Sequence, residues 1–292
     1  MSDPRVVFAT CAAQPGLDPD DALAADVLAA RGVAVTAAPW DDPHTDWSAA
    51  DLVVVRSTWD YPLRRDAFTA WAGAVPRLVN PGPVVAWNTD KRYLDDLARA
   101  GVPVVETHWR EPGDPSALPA AGDWVVKPAV SAGSRDTGRF RLDDAGERAR
   151  AEALVGRLGA AGRTVMLQPY LEGVDTAGET ALVHLDGRFS HAVRKGPMLD
   201  GPDSDVEGLY RVERLVARTP DPAERALADA VLAALPHACP AAADPSYARV
   251  DVVPGPDGAP VLLELELTEP SLFLGHAEGA PARFADAVVA RL

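Results

Sequence analysis

Leu52-Val53-Val54-Val55 is an unbroken apolar run of strand length, the pattern of a strand covered on both faces inside a parallel sheet. Val6 to Thr10 reads as another short buried strand, and Val33 to Ala37 starts a second. Between them, Asp18-Pro19-Asp20-Asp21 supplies a cap, a first-turn proline and acidic residues at the positive end of a helix. That helix carries apolar Leu23, Val27 and Leu28 and ends at Gly32. A further helical stretch, about Asp66 to Ala74, sets Phe68 and Trp71 on one side. Strand-helix-strand alternation predicts an open α/β unit, in which ligands collect at the carboxyl ends of the strands. Arg56-Ser57-Thr58-Trp59-Asp60-Tyr61 comes directly after such an end. It reads equally as a substrate loop and as a plain turn with a packing Trp.

The pattern then changes. Asn88-Thr89-Asp90 reads as the cap of a helix from Lys91 to about Ala100, closed by Gly101, with Val102 to Val105 extended beyond it. Glu111 to Asp123 reads as a flexible connection. Trp124-Val125-Val126-Lys127-Pro128 is a strand ending on a lysine, succeeded by the small-residue loop Ser131 to Gly138 and an extended Arg139 to Leu142. A helix at about 143–159 and a strand at 164–168 complete an expected βαβ-type module. From Gly173 onward the pattern is that of antiparallel sheet: Thr180 to Leu185, an Asp186-Gly187 turn, and Phe189 to Arg194. Helices are predicted at about 222–235 and 282–292, and Pro197 to Gly208, with four acidic residues, as a mobile loop. The chain has no internal repeat.

Near the C-terminus Arg249-Val250-Asp251-Val252-Val253 and Leu263-Glu264-Leu265-Glu266-Leu267 flank an Asp257-Gly258 turn signal. Period-two alternation puts Arg249, Asp251 and Val253 on one face, and Glu264 and Glu266 on one face of the neighbouring antiparallel strand. Leu263, Leu265 and Leu267 are expected on the opposite face. Solvation would satisfy an exposed acidic face, but the flanking Val and Leu runs argue for burial, and buried carboxylates need partners. Hard oxygen ligands suit Mg²⁺ or Mn²⁺.

Composition narrows the function further. A net charge of −15 over 292 residues speaks against nucleic acid or an anionic membrane as partner, since both are bound through broad basic surfaces. Cys11 and Cys239 have neither disulfide-scaffold nor zinc spacing, and the six histidines are scattered. With neither a signal-peptide pattern nor a membrane-length apolar run, a cytoplasmic protein is expected. GxxxxGK[ST], GxGxxG, GxSxG and HExxH are all absent, which removes the common P-loop, dinucleotide, serine-hydrolase and zincin readings.

Lys91 and Lys127, the small-residue loop, and a carboxylate cluster with Arg249 beside it are together the equipment for binding a metal nucleotide. Their order completes a pattern: Asp90-Lys91, Val125-Val126-Lys127-Pro128, the Ser/Gly loop, Gln168-Pro169-Tyr170-Leu171-Glu172-Gly173, Arg249-x-Asp251 and Glu264-x-Glu266. This resembles the ATP-grasp ligases, in their glutathione-synthetase-like branch, over roughly residues 88–275 by motif. The resemblance implies an α/β (α+β) fold in three parts. These are an N-terminal open α/β domain (1–86), a central lid domain (87–170) and a C-terminal antiparallel-sheet domain with the metal site (171–292).

The same resemblance implies roles. Lys91 and Lys127 would contact ATP phosphates, Lys127 also lying near the adenine, and the loop with Ser131, Gly133 and Ser134 would close over the β- and γ-phosphates. Gln168, Pro169, Tyr170 and Leu171 would read the adenine edge, and either Asp175 or Glu179 the ribose. Asp251, Glu264 and Glu266 would hold Mg²⁺ (or Mn²⁺), Glu266 standing where the family usually has Asn. Arg249 would stabilise the transferred phosphoryl group or the tetrahedral intermediate, with Arg194 and Lys195 as candidates for the same work. The implied chemistry is phosphorylation of a carboxylate by ATP and displacement of phosphate by a nitrogen nucleophile.

Three strings, Arg56 to Tyr61, Phe189 to Lys195 and Glu266 to Phe273, resemble a narrower group that includes the D-cycloserine-forming cyclo-ligase, which closes O-ureido-D-serine. The partner so implied is a small amino-acid-like substrate, contacted by Arg56, Tyr61, His191, Glu269 and Ser271. The alternatives are an intermolecular amino-acid or dipeptide ligase and, in another class, a non-catalytic ATP-binding regulatory protein.

Overall fold

The computed structural model describes residues 3–197 and 214–292. The apolar run at 52–55 is buried at every position, because its strand lies inside a sheet. Strands β1 (Arg5–Thr10), β2 (Ala34–Pro39), β3 (Leu52–Val55) and β4 (Leu78–Val79) pair in the order β2-β1-β3-β4, all parallel. Helix α1 (Pro19–Ala30) is capped by Asp18, whose side chain accepts from the Asp20 N–H at 2.9 Å. Its buried face is Ala24, Ala25 and Leu28, while Leu23 is 40% exposed, contrary to the sequence pattern. Helix α2 (Arg65–Ala74) buries Phe68 and stacks Trp71 on it, with ring centroids 5.3 Å apart.

The second sheet contains β5 (His108–Arg110), β6 (Asp123–Pro128), β7 (Gly138–Arg141) and β8 (Val165–Pro169), in the order β5-β8-β6-β7. Helix α5 (Ala145–Ala160) covers it. Every neighbouring pair is antiparallel, so β7 and β8, both opposed to β6, run parallel to each other. The unit β7-α5-β8 forms the expected βαβ-type module, with β6 between its strands. The small-residue loop after β6 folds back as a hairpin, so β7 takes the adjacent place and α5 must carry the chain across β6 to β8.

The third sheet, order β11-β10-β9-β12-β13, is antiparallel throughout. It comprises β9 (Glu179–Leu185), β10 (Arg188–Lys195), β11 (Leu215–Arg218), β12 (Tyr247–Pro254) and β13 (Pro260–Glu266). The short α6 (Gly173–Ala177) precedes it, and α7 (Pro222–Ala238) packs on it through Leu227, Val231 and Leu235. Helices α3 (Gly82–Asn88) and α4 (Tyr93–Arg99) join that same core through Val84, Leu94 and Leu97. Asn88 therefore ends a helix instead of capping the next one. Its amide accepts from the Leu267 N–H at 2.6 Å and donates to the Leu265 carbonyl at 2.8 Å, pinning the end of β13. Helix α8 (Ala280–Val289) returns to the first sheet, where Phe284 packs against Phe8 and Tyr247. The first core is thus built from both ends of the chain. Of the acidic loop expected at 197–208, residues 198–208 lie outside the described residues.

Candidate active site

The second and third sheets, together with the start of α1 and the loop after β3, wall a cavity of about 540 Å³. On β12 and β13 the register sets Asp251 opposite Glu264 and Arg249 opposite Glu266, as the alternation requires. The register shifts between Asp251 and Val252, so that Val252 pairs with Leu262. Leu263 is the extra residue and lines the cavity together with Glu264, so the expected rule that Leu263 lies with Leu265 and Leu267 is corrected by a β-bulge.

Charges of both signs interlock along this wall. Lys91 Nζ pairs with Glu264 at 2.9 Å and donates to the Ser131 carbonyl at 3.0 Å, tying β13 to the small-residue loop. Lys195 Nζ lies 2.8 Å from Asp251 and 2.8 Å from Glu179. Arg249 holds Asp251 through Nε and Nη2, each at 2.9 Å, and also pairs with Glu266. Burial would raise the Asp251 carboxyl, but Arg249 and Lys195 overcome it and bring it down to about 2. Glu266 goes the other way. Burial and then the crowd of neighbouring carboxylates, against the pull of Arg249, push it up to about 8. Lys127 is lowered by burial first and by Lys91, with Glu264 opposing.

The expected residues divide between the cavity wall and its surroundings. Lys91, Lys127, Ser131, Gly133, Ser134, Gln168, Pro169, Tyr170 and Leu171 all line the cavity, as do Glu179, Lys195, Arg249, Glu264, Glu266, Tyr61, Glu269 and Ser271. The loop folds tightly because Gly133, Ser134 and Asp136 are left-handed, at φ 63°, 60° and 55°. Asp136 is fixed by Arg157 at 2.8 Å and Arg163 at 2.7 Å. Gln168 is buried and donates to Thr107 Oγ1 at 3.0 Å.

Other candidates stand away from the cavity wall. Asp251 sits behind it, almost fully buried in its ion pairs. Arg56 pairs with Asp21 at 2.7 Å, both side chains 3% exposed. His191 spans Ser190 Oγ and the Leu272 carbonyl, each at 2.8 Å, and so holds the segment carrying Ser271. Arg194 donates to the carbonyls of Thr176 and Ala177 at the end of α6. Asp175 accepts from the Tyr170 hydroxyl and faces Arg139 at 3.5 Å.

Sequence reasoning missed Asp18, Asp20, Trp59, Asn88, Phe273 and His276, all of which line the cavity. Asp18 and Asp20 were legible only as helix-start residues. The segment 269–276 reaches the wall through long-range contacts: the Trp59 indole donates to the Glu269 carbonyl at 3.2 Å, and Gly275 N–H to Asp20 at 3.0 Å.

Among the described residues no group of three acidic, His or Cys side chains is arranged as a set of metal ligands. Mg²⁺ in nucleotide sites is held by one or two carboxylates together with phosphate oxygens, so it does not require such a cage. Glu264 and Glu266, with 24% and 23% exposed side chains on the cavity wall, fit that hard-oxygen role.

Two enclosing sheets with a carboxylate-and-lysine wall between them are the architecture of the ATP-grasp fold, and solved structures agree. An ATP-grasp RimK domain protein from Sphaerobacter thermophilus superposes with a TM-score of 0.68 at 18% identity, covering 98% of this chain and 99% of that one. D-alanine–D-alanine ligase from Bacillus anthracis gives a TM-score of 0.64 at 14% identity, over 99% and 97% of the two chains. Closer likeness is to the D-cycloserine synthetase DcsG, whose crystal structure matches at a TM-score of 0.84 and 37% identity over 98% of this chain and 99% of that one. The cycloserine biosynthesis protein DcsG of Streptomyces lavendulae is 41% identical over 286 residues, covering 90% of this chain and 91% of that protein. Residues 6–80 match the family described as the N-terminal domain of D-cycloserine synthetase DcsG. The chain belongs to the DcsG family of ATP-grasp proteins.

Proposed function

We propose that this protein is an ATP- and Mg²⁺-dependent ligase that closes O-ureido-D-serine to D-cycloserine through an acyl phosphate. The observation that carries this reading is the cavity in which Lys91, Lys127, Lys195 and Arg249 stand against Glu264 and Glu266, in a chain 41% identical to a cycloserine biosynthesis protein. The substrate carboxylate attacks the γ-phosphorus of ATP, and the bond to the ADP oxygen breaks. The aminooxy nitrogen then attacks the acyl carbon, inorganic phosphate leaves, and the nitrogen loses its proton. Its carbamoyl group departs with water as carbon dioxide and ammonia, which balances the conversion.

Lys91, Lys127 and the loop at 131–138 take the phosphates, and the backbone at 168–171 faces the base. Glu264 and Glu266 would hold Mg²⁺, which supplies Lewis acidity and charge neutralisation when bound. Arg249, fixed by Asp251 and Glu266, faces the developing negative charge with little reorganisation. Lys195 anchors Asp251 and Glu179, whereas Arg194 supports this wall from outside through α6. Glu179 is favoured over Asp175 for the ribose because it lines the cavity. Tyr61, Glu269 and Ser271 are the substrate-facing set, with Arg56 and His191 as supports behind them. The sheet of β5 to β8 is the natural cover that keeps water from the acyl phosphate.

Substrate-dependent ADP release tests the reading. With Mg²⁺, ATP and O-ureido-D-serine alone, ADP and the ring product should appear together. ADP release only with pairs of amino acids would replace this reading with an intermolecular ligase, and nucleotide binding without turnover of any amino acid would favour a regulatory protein.

A further inference from the structure

We propose that Asp20 receives the α-ammonium of the amino-acid substrate and so sets the enzyme's preference for an amino acid with a free amine. The inference deepens the ligase reading and rests on it. Asp20 lies in the first turn of α1 and lines the cavity. Its Oδ1 accepts from the Gly275 N–H at 3.0 Å. Its Oδ2 is shielded from solvent and has no hydrogen-bond partner. A shielded carboxylate oxygen left without a donor costs about 1–3 kcal/mol or more, so a retained one marks a place where a donor arrives.

The surroundings specify which donor. A carboxylate accepts and does not donate, which leaves cations and neutral N–H or O–H groups. The cation behind this corner, Arg56, is committed to Asp21 at 2.7 Å. Asp18 and Asp20 lie on α1's start, and Glu269 and His276 face the cavity from the segment that Asp20 and Trp59 tether. Asp18 and Asp20 leave the corner negative, and an ammonium answers both the charge and the missing donor. The cavity's cations, Lys91, Lys127 and Arg249, line it away from this corner, among Glu264 and Glu266. An α-amino acid has the matching dipole: the carboxylate to be phosphorylated turns to the cations, and the ammonium turns to Asp20.

Asp20→Asn tests this with minimal disturbance, since Asn keeps the acceptor for Gly275 and places an NH₂ where Oδ2 stands. The KM for O-ureido-D-serine should rise at least about tenfold, the expected scale for losing a charged hydrogen bond. The KM for ATP and the melting temperature should stay near wild type. The wild type should strongly prefer the substrate over its analogue lacking the α-amine, 3-(ureidooxy)propanoate. Asp20→Asn should lose most of that preference, and Asp20→Glu, which keeps the charge, should regain part of it. Unchanged discrimination in Asp20→Asn, in a wild type that releases ADP, would overturn the assignment alone. A parallel rise in both KM values, or a large fall in melting temperature, would also overturn it in favour of a structural role. No ADP release by the wild type with O-ureido-D-serine would remove the ligase reading, and the assignment with it.

Discussion

Arg56 brings a charge to a place from which water is excluded. Its guanidinium is paired with Asp21 and lies 5.3 Å from the Phe284 ring centroid and 5.7 Å from that of Tyr247. The strand-end position that made it a substrate candidate is real, but the side chain turns back under α1 to Asp21 instead of forward into the cavity. Replacing Arg56 by Met should leave Asp21 as a buried unpaired carboxylate and cost about 3–5 kcal/mol, read as a fall in the denaturation midpoint. Changing both residues to apolar ones of similar size should restore most of the loss. If the single and double variants were equally destabilised, the pair would not be the source of the effect. A residue-level reading of the sequence could place Arg56 in the right loop, but not choose between its two directions, because Asp21 is its partner only once α1 docks on β3.

At the scale of elements, α7 against the third sheet buries His184 of β9. Its ring nitrogens have no hydrogen-bond partner, with Asp229 Oδ1 at 3.6 Å, Arg225 pairing with that aspartate, and Phe189 edge-on at 5.7 Å. Burial, against the pull of Asp229, brings His184 down to about 4 from 6.5. The unfolded chain therefore takes up the proton first. Stability from this group is intact above about pH 6.5, declines below it, and is fully lost below about pH 4, a change of about 3 kcal/mol in all. Glu266 and Glu269, raised to about 8 and about 7 mainly by burial, act with the opposite sign over part of this window, so the test is a difference between proteins. His184→Leu should flatten the decline between pH 6.5 and 4 relative to wild type, and an identical pH profile would sink the idea. Most elements were legible because their patterns are local: the 52–55 run, the Asp18 cap, the Asp257-Gly258 hairpin. Those misread depend on partners far along the chain. Asn88 is held by β13, and Leu263 is re-aimed by a bulge that no period-two pattern encodes. Glu264 and Glu266 were legible for the same reason, since they lie at strand positions fixed by alternation, whereas Lys91, in the 89–92 turn, was picked out by the motif order. The 269–276 corner was not, because it is assembled by tertiary contacts alone.

For the whole molecule, the cavity lies between the second and third sheets, with the start of α1 and the loop after β3 at one end. Its two charge populations neutralise each other along the wall made by the third sheet. Lys91 of the 89–92 turn pairs with Glu264 of β13, and Lys195 of β10 with Asp251 of β12 and Glu179 of β9. A nucleotide's phosphates compete for the lysines, and the carboxylates so released need a cation of their own. Mg²⁺ meets that need while also binding phosphate oxygens, so nucleotide and metal should bind with positive coupling. Ligand binding to the folded state raises stability by about 2.7 kcal/mol at one hundred times the dissociation constant. Mg²⁺ with ADP should therefore raise the melting temperature clearly, whereas ADP with EDTA, or Mg²⁺ alone, should do so far less than additively. Glu264→Gln should retain a response to ADP but lose its enhancement by Mg²⁺. Lys127→Ala should lose most of the nucleotide response and lower turnover by about 10²–10³, the scale for removing one electrostatic contact to a reacting group. Equal stabilisation by ADP with and without Mg²⁺ in the wild type would separate the carboxylates from nucleotide binding, leaving Glu264 and Glu266 as structural counter-ions to the lysines.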